Sequence, residues 1–165
     1  MAFEIDSDLN SALMPLAWLI GSWQGNGHGS WPGTGDFEFG QQIDFATNRG
    51  DYLHYLSQTW TLDPEGQPDE PLTMESGFWR PAGSGELDVV LTNPEGWAEI
   101  WAGSVQGAKI ELTTDVVART TSSELAYTGG HRLYGNVEGD LLWTFDRATA
   151  DVELQPYMWA RLARA

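Results

Sequence analysis

Three glycines alternate with polar residues around a histidine in the segment LIGSWQGNGHGSWPG, which spans residues 19–33. Gly25, Gly27 and Gly29 occupy every second position, and His28 lies between the last two. A glycine-rich loop could bind a phosphate group through its backbone amides, and a histidine in a turn could bind a metal ion. A strand with glycine on one face would instead let a ligand or another backbone approach closely.

The phosphate and metal interpretations lack the residues that each chemistry needs. No lysine followed by serine or threonine completes a P-loop, and no strand–loop–helix pattern surrounds the glycines. The three histidines, His28, His54 and His131, are far apart in the chain, and no pair shows metal-ligand spacing. No calcium-loop pattern is present either. The segment is therefore predicted to be a strand with its three glycines on one face.

Most of the remaining chain is predicted to form short strands separated by hairpin-length turns. Beyond the glycine-rich strand, the predicted strands cover residues 37–45, 51–62, 72–80, 86–92, 97–103, 109–115, 124–136, 140–148 and 152–164. Connections this short require antiparallel neighbours, because a parallel crossover needs a dozen residues or more. A sandwich is possible, but a barrel removes both sheet edges. The sequence therefore favours an all-β fold: one closed antiparallel up-and-down β-barrel of about ten strands, a single domain over residues 1–165.

A single helix is predicted, at the N-terminus. Ser7 or Asp8 can cap it, leucines recur at helical spacing from residue 9 to residue 19, and Pro15 marks a kink or a start. Because the helix leads directly into the glycine-rich strand, it could form the lid or the floor of the barrel.

The composition excludes several classes of partner and chemistry. The net charge is −16, from 24 acidic and 8 basic residues, so neither nucleic acid nor an anionic membrane is an expected partner. The absence of cysteine excludes disulfides, thiolate metal sites and thiol catalysis. The acidic N-terminus does not resemble a secretory signal, and the longest apolar stretch is far shorter than the ~20 residues of a membrane span. We expect a cytoplasmic protein, and no pattern indicates its oligomeric state.

The tryptophan content indicates a wide barrel interior. A ten-stranded barrel is wider than its side chains readily fill, which predicts a cavity lined by apolar and aromatic residues. Most of the nine tryptophans lie within predicted strands. These rings could line such a cavity or could fill it.

The opening segment also resembles the signature of the nitrobindin family, G-[ST]-W-x-G-x-G-x-G-x-[YW]-P. Further matches are YLSQTW at 55–60, ESGFWRP at 75–81, HRLYG at 131–135 and YMWARLAR at 157–164. The resemblance implies a barrel similar to that of fatty-acid-binding proteins, with ten antiparallel strands and a short helix. It also implies ferric haem b in the cavity, reaction with nitric oxide, and isomerisation of peroxynitrite to nitrate.

Two positions depart from the family pattern. The histidine that binds iron in the family aligns with Tyr157, and a second family histidine aligns with Thr73. Tyrosine can bind ferric haem as the phenolate, provided that the iron or a neighbouring arginine lowers its pKa. The resemblance therefore implies a divergent member in which Tyr157 coordinates the iron of haem b and Thr73 lies nearby.

Strand alternation extends the predicted site beyond Tyr157. Trp159 and Arg161 should share the face of Tyr157, whereas Met158 should point to the opposite face. Haem and fatty acids are anionic, so Arg132, Arg147 or Arg161 could neutralise a ligand at the barrel opening. The predicted cofactor-binding residues are Tyr157, Thr73, Trp159, Arg161, Gly25, Gly27, Gly29 and Arg132.

Three functions remain open at this stage. The first is an intracellular barrel that binds haem b and whose ferric iron reacts with nitric oxide or peroxynitrite, so an enzymatic role depends on haem binding. The second is a non-haem carrier of a fatty-acid-like or other apolar molecule, with Tyr157, Trp159 and Arg161 holding a carboxylate. The third is a structural or interaction barrel filled by its own tryptophans. No hydrolytic arrangement of residues is present.

Overall fold

Ten antiparallel strands close into one barrel in the computed structural model, which describes residues 4–165. The strands are β1 (Gly21–Trp31), β2 (Gly35–Ala46), β3 (Leu53–Leu62), β4 (Pro68–Gly83), β5 (Glu86–Thr92), β6 (Trp97–Gln106), β7 (Lys109–Arg119), β8 (Tyr127–Val137), β9 (Asp140–Thr149) and β10 (Gln155–Arg164). Each strand pairs with its neighbours in sequence, and pairing of β1 with β10 closes the barrel. The predicted all-β up-and-down barrel is confirmed.

The turn between β8 and β9 shows how local sequence sets the strand register. Glu138 and Gly139 both adopt positive φ, at 54° and 88°, which is the backbone conformation of a two-residue hairpin turn. Val137 then pairs directly with Asp140, and alternate residues of β9 point into the barrel. Trp143, Phe145 and Arg147 are among these inward residues, so the register places one arginine and two rings in the interior.

The N-terminal helix is a 3₁₀ helix, Ser11–Leu19, and it closes one end of the barrel. Its cap is Asn10, whose side chain accepts a hydrogen bond from the amide of Ala12 at 3.0 Å. The predicted caps, Ser7 and Asp8, are therefore wrong, because the helix begins later than the leucine spacing suggests. No helix in the described residues 4–165 is long and apolar enough to cross a bilayer.

The position of the helix fixes which end of the barrel is open. Arg164, near the end of β10, donates hydrogen bonds to the carbonyls of Ile20 (2.5 Å) and Trp18 (2.8 Å) at the end of the helix. Tyr157 lies toward the other end of β10, away from these contacts. The helix is thus a floor, and an opening to the interior must lie at the Tyr157 end.

Candidate functional site

An internal cavity of about 190 Å³ lies toward the Tyr157 end of the barrel. The exposed residues Leu72, Met74 and Glu95 are part of its rim, and aromatic side chains form much of its wall. An engineered protein cavity of ~150 Å³ binds benzene, so this space suits a single ring or a short apolar chain. The interior is therefore neither fully packed nor as wide as the strand number suggests.

Tyr157 reaches the cavity wall through a β-bulge in β10. Pro156 pairs with Asp146 and Met158 pairs with Phe145, so Tyr157 is an extra residue between the two pairs. At such a bulge the regular alternation of faces is broken. Tyr157 and Met158 consequently both line the cavity, and the prediction that Met158 points away from it is wrong.

The same bulge moves Trp159 and Arg161 to the outside of the barrel. Trp159 is 40% exposed, and its ring stacks on His28 with the centroids 6.2 Å apart. Arg161 donates hydrogen bonds to Asp140 at 2.6 Å and to Glu138 at 3.2 Å on the outer surface. The predicted inward stripe of Tyr157, Trp159 and Arg161 is therefore wrong, because the extra residue inverts the faces of all later positions.

Arg147 of β9 lies beside Tyr157 in the cavity, whereas strand alternation had predicted Trp159 and Arg161 on that face. Its side chain lines the cavity, is only 6% exposed, and contacts two aromatic rings. The guanidinium carbon lies 3.6 Å from the ring centre of Tyr157 and 4.0 Å from that of Trp31. The buried Nε of Arg147 has no hydrogen-bond partner, and no carboxylate of residues 4–165 forms an ion pair with it.

Burial shifts the pKa values of both Arg147 and Tyr157. Desolvation lowers the pKa of the Arg147 guanidinium. Desolvation also raises the pKa of the Tyr157 phenol, and the opposing effect of the Arg147 charge does not reverse that shift. Tyr157 is therefore a neutral phenol at neutral pH.

Arg132 also lines the cavity, but a buried ion pair neutralises its charge. It donates hydrogen bonds to both carboxylate oxygens of Glu75, at 2.6 and 2.9 Å, and Tyr55 donates a third at 3.1 Å. Burial alone would raise the pKa of Glu75, but the charge and hydrogen bonds of Arg132 outweigh burial and lower it. Arg132 thus lies where the sequence placed it, with its charge already paired.

Glu75 was not selected from the sequence, although a signal was present. Gly77 and Trp79 follow it at alternate positions of β4, and Trp79 is fully buried. This alternation directs Glu75 inward as well. An acid four residues before a buried tryptophan in the same strand could therefore have been recognised as an interior carboxylate.

A second polar group that was not selected from the sequence lies on β2, two strands from Glu75 around the barrel. The Gln41 side chain donates to Ser57 at 2.9 Å and accepts from the indole of Trp143 at 2.9 Å. Gln41 lies between Phe39 and Ile43 at alternate positions of β2, which would have identified it as inward-facing. These polar groups satisfy one another, so they form a defined wall without unpaired charge.

Thr73 lies at the rim of the cavity. Its hydroxyl donates to the Glu95 carboxylate at 2.6 Å, and its amide donates to the hydroxyl of Thr59 at 3.2 Å. Thr73 therefore stands beside the cavity as predicted from the alignment, but its polar groups already have partners within the protein.

The glycine-rich face serves packing and does not line the cavity. A Cβ atom on Gly27 would lie 2.3 Å from the Phe39 ring, and one on Gly29 would lie 2.1 Å from the Phe37 ring. A Cβ atom on Gly25 would lie 2.8 Å from a backbone oxygen of β10. The predicted close approach occurs, but phenylalanine rings and a neighbouring backbone make it. These glycines are not among the residues that line the cavity, and their role in cofactor binding stays a prediction.

The three histidines all lie on the outer face of the barrel. His28 stacks on Trp159, His54 contacts the Ser76 hydroxyl at 3.2 Å, and His131 contacts a Glu111 oxygen at 2.9 Å. Residues 4–165 contain no cluster of histidine and acidic side chains that could hold a metal ion. No imidazole of this chain therefore faces the cavity.

Comparison with known proteins identifies relatives over nearly the whole chain. The family model of the THAP4-like, heme-binding beta-barrel domain matches residues 12–164. A "Ferric nitrobindin-like protein" of Cutibacterium acnes is 62% identical over 100% of both chains. A "Peroxynitrite isomerase" of Nocardioides sp. is 43% identical over 99% of both.

A solved structure shows the same architecture. The crystal structure of Rv2717c from M. tuberculosis superimposes with a TM-score of 0.85 at 29% identity, covering 95% of this chain and 99% of the other.

Proposed function

Because the chain belongs to the nitrobindin family of THAP4-like haem-binding β-barrels, we propose that it is a binding protein whose barrel cavity holds a small, largely apolar molecule. The observation that carries this proposal is the cavity of about 190 Å³ beneath an exposed rim, with aromatic walls and a few fixed polar groups. Apolar walls with a small number of placed polar groups are the general features of small-molecule sites.

Haem b is the group that the family implies, and the residues of this chain do not fit it in their present arrangement. The space is below the ~300–1,000 Å³ of typical ligand pockets and suits one ring, whereas a porphyrin has four. No histidine faces the cavity, and the guanidinium of Arg147 covers the ring of Tyr157, whose phenol is neutral. The site therefore differs from an imidazole-ligated haem pocket in both volume and donor.

Haem binding through Tyr157 is nevertheless a second candidate, because one contact favours it. The Arg147 charge lies beside the Tyr157 ring and opposes the effect of burial on the pKa of the phenol. Binding of haem b would require these two side chains to separate. Chemistry toward nitric oxide or peroxynitrite belongs only to this second candidate.

Calorimetric titration with benzamide tests the proposed function, because benzamide is a neutral single-ring probe. Ser57→Leu fills part of the cavity, whereas Ser76→Leu makes the same change on the outer face of the neighbouring strand. We expect benzamide to bind the unmodified protein and Ser76→Leu equally, and to bind Ser57→Leu at least ~10-fold more weakly, a loss of ~1.4 kcal/mol. Thermal unfolding confirms that each variant is folded. No binding to the unmodified protein would refute the proposal.

A haem titration separates the two candidates. We expect absorption spectra of ferric haem b to show no Soret band that depends on residue 157. Tyr52 serves as the control, because it does not line the cavity and its hydroxyl accepts a hydrogen bond from Asn48 in an exposed turn. A Soret band that forms with the unmodified protein and with Tyr52→Phe, but is lost in Tyr157→Phe, would establish the second candidate in place of the first.

A further inference from the structure

We propose that Arg147 is an anion-binding residue and that the ligand class is a monocarboxylate carrying a single ring or a short apolar chain. This inference rests on the proposed function, because it concerns the chemistry of the molecule that the cavity binds.

The first support is that no carboxylate forms an ion pair with Arg147 among the described residues. A buried cation is costly unless a counter-ion or hydrogen bonds compensate for its lost hydration. Arg147 is 6% exposed, its Nε has no partner, and no acid among the described residues forms an ion pair with it. Glu95 is the acid at the rim, and its carboxylate is held by Thr73. An anion entering the cavity would supply the missing compensation.

The second support is the contrast between Arg147 and the other arginines considered for the site. Arg132 is also buried and its Nε also lacks a hydrogen-bond partner, but its terminal nitrogens donate two hydrogen bonds to the Glu75 carboxylate. Arg161 lies outside the barrel and is paired with Glu138 and Asp140. Glu95 lies at the rim of the same cavity and its charge acts on Arg147, but no carboxylate of residues 4–165 forms an ion pair with Arg147. Within residues 4–165, these facts distinguish Arg147 as the arginine of the cavity that can receive a ligand anion.

The third support is geometric. The guanidinium carbon lies 3.6 Å from the ring centre of Tyr157 and 4.0 Å from that of Trp31, and the planes of these two rings are 76° apart, so contacts from two directions hold the group at the cavity wall. A planar guanidinium binds a carboxylate through two parallel N–H groups on one edge. Trp97 and Phe145 line the same cavity and offer apolar contacts to the rest of the molecule. The volume limits that remainder to about one ring.

Calorimetric titrations with benzoate and benzamide test the inference, because these probes share a ring and differ in charge. We expect the unmodified protein to bind benzoate at least ~10-fold more tightly than benzamide, a difference of ~1.4 kcal/mol. Arg147→Met removes the charge and should abolish that preference, so that benzoate binds no more tightly than benzamide. Arg161→Met, which removes an outer-surface arginine, should leave the affinity for both probes unchanged.

The conservative variant Arg147→Lys provides a further test. Arg147→Lys keeps the charge without the planar guanidinium, so we expect an intermediate preference for benzoate. Circular dichroism verifies that each variant is folded.

If benzamide binds and benzoate binds no more tightly, the inference is overturned while the proposed function stands. If neither probe binds, both are overturned. A preference for benzoate that persists in Arg147→Met would also overturn the inference.

Discussion

The ion pair between Glu75 and Arg132 makes a quantitative prediction about stability. Glu75→Leu leaves the Arg132 guanidinium buried without its bidentate partner, and removal of one member of a buried pair costs ~3–5 kcal/mol. Glu75→Leu combined with Arg132→Met removes both charges and fills similar volume. Replacements of that kind are often neutral, so the double variant should lie within ~1 kcal/mol of the unmodified protein.

Urea unfolding at pH 7.5, followed by far-ultraviolet circular dichroism, measures this difference. With an m-value of ~2 kcal/mol/M, a loss of 4 kcal/mol lowers the midpoint by ~2 M urea. The double variant should recover most of that shift. If the double variant is as unstable as Glu75→Leu, the loss arises from packing at position 75, and the interpretation of Arg132 as a charge that needs Glu75 is refuted.

Three other predictions concern residues that do not line the cavity. Burial raises the pKa of Glu99 to about 7 from 4.5, so the folded state holds a proton that the unfolded state releases between these values. The stabilising contribution of this group is therefore present below pH 4.5 and is lost as the pH rises through 7. The free energy of unfolding of the unmodified protein should fall by ~3 kcal/mol relative to that of Glu99→Gln between pH 4.5 and pH 8, as measured by urea titrations. Gly77→Ala places a Cβ atom 1.7 Å from the Val90 carbonyl and should lower the unfolding midpoint strongly, whereas Gly135→Ala, with its nearest atom at 3.7 Å, should not. Trp159→Ala should leave benzamide affinity unchanged, because the ring lies outside the barrel; weaker binding would contradict the outward assignment.

The barrel was predictable because its evidence is distributed along the whole chain. Short strands, tight turns and antiparallel pairing each depend on local sequence, and closure follows from the need to remove sheet edges. The helix cap was not predictable to the residue, since Asp8 and Asn10 are both good caps and tertiary packing selects between them.

The site was harder to predict because a single extra residue decides which side chains face inward. Alternation from Tyr157 places Trp159 and Arg161 in the cavity, and the bulge places them outside. Pro156 is the available signal, since proline within a strand is confined to edges and bulges. The cavity volume was also not predictable, because it depends on how the rings and Arg147 pack within the barrel.

Indole resonances in ¹H–¹⁵N spectra provide the most direct test that a ligand enters the barrel. Trp97 and Trp143 line the cavity, whereas Trp159 lies on the outer face. On titration with benzoate, the indole signals of Trp97 and Trp143 should shift to saturation and that of Trp159 should remain in place. Saturable shifts at Trp159 with unmoved signals from the two cavity tryptophans would contradict binding inside the barrel.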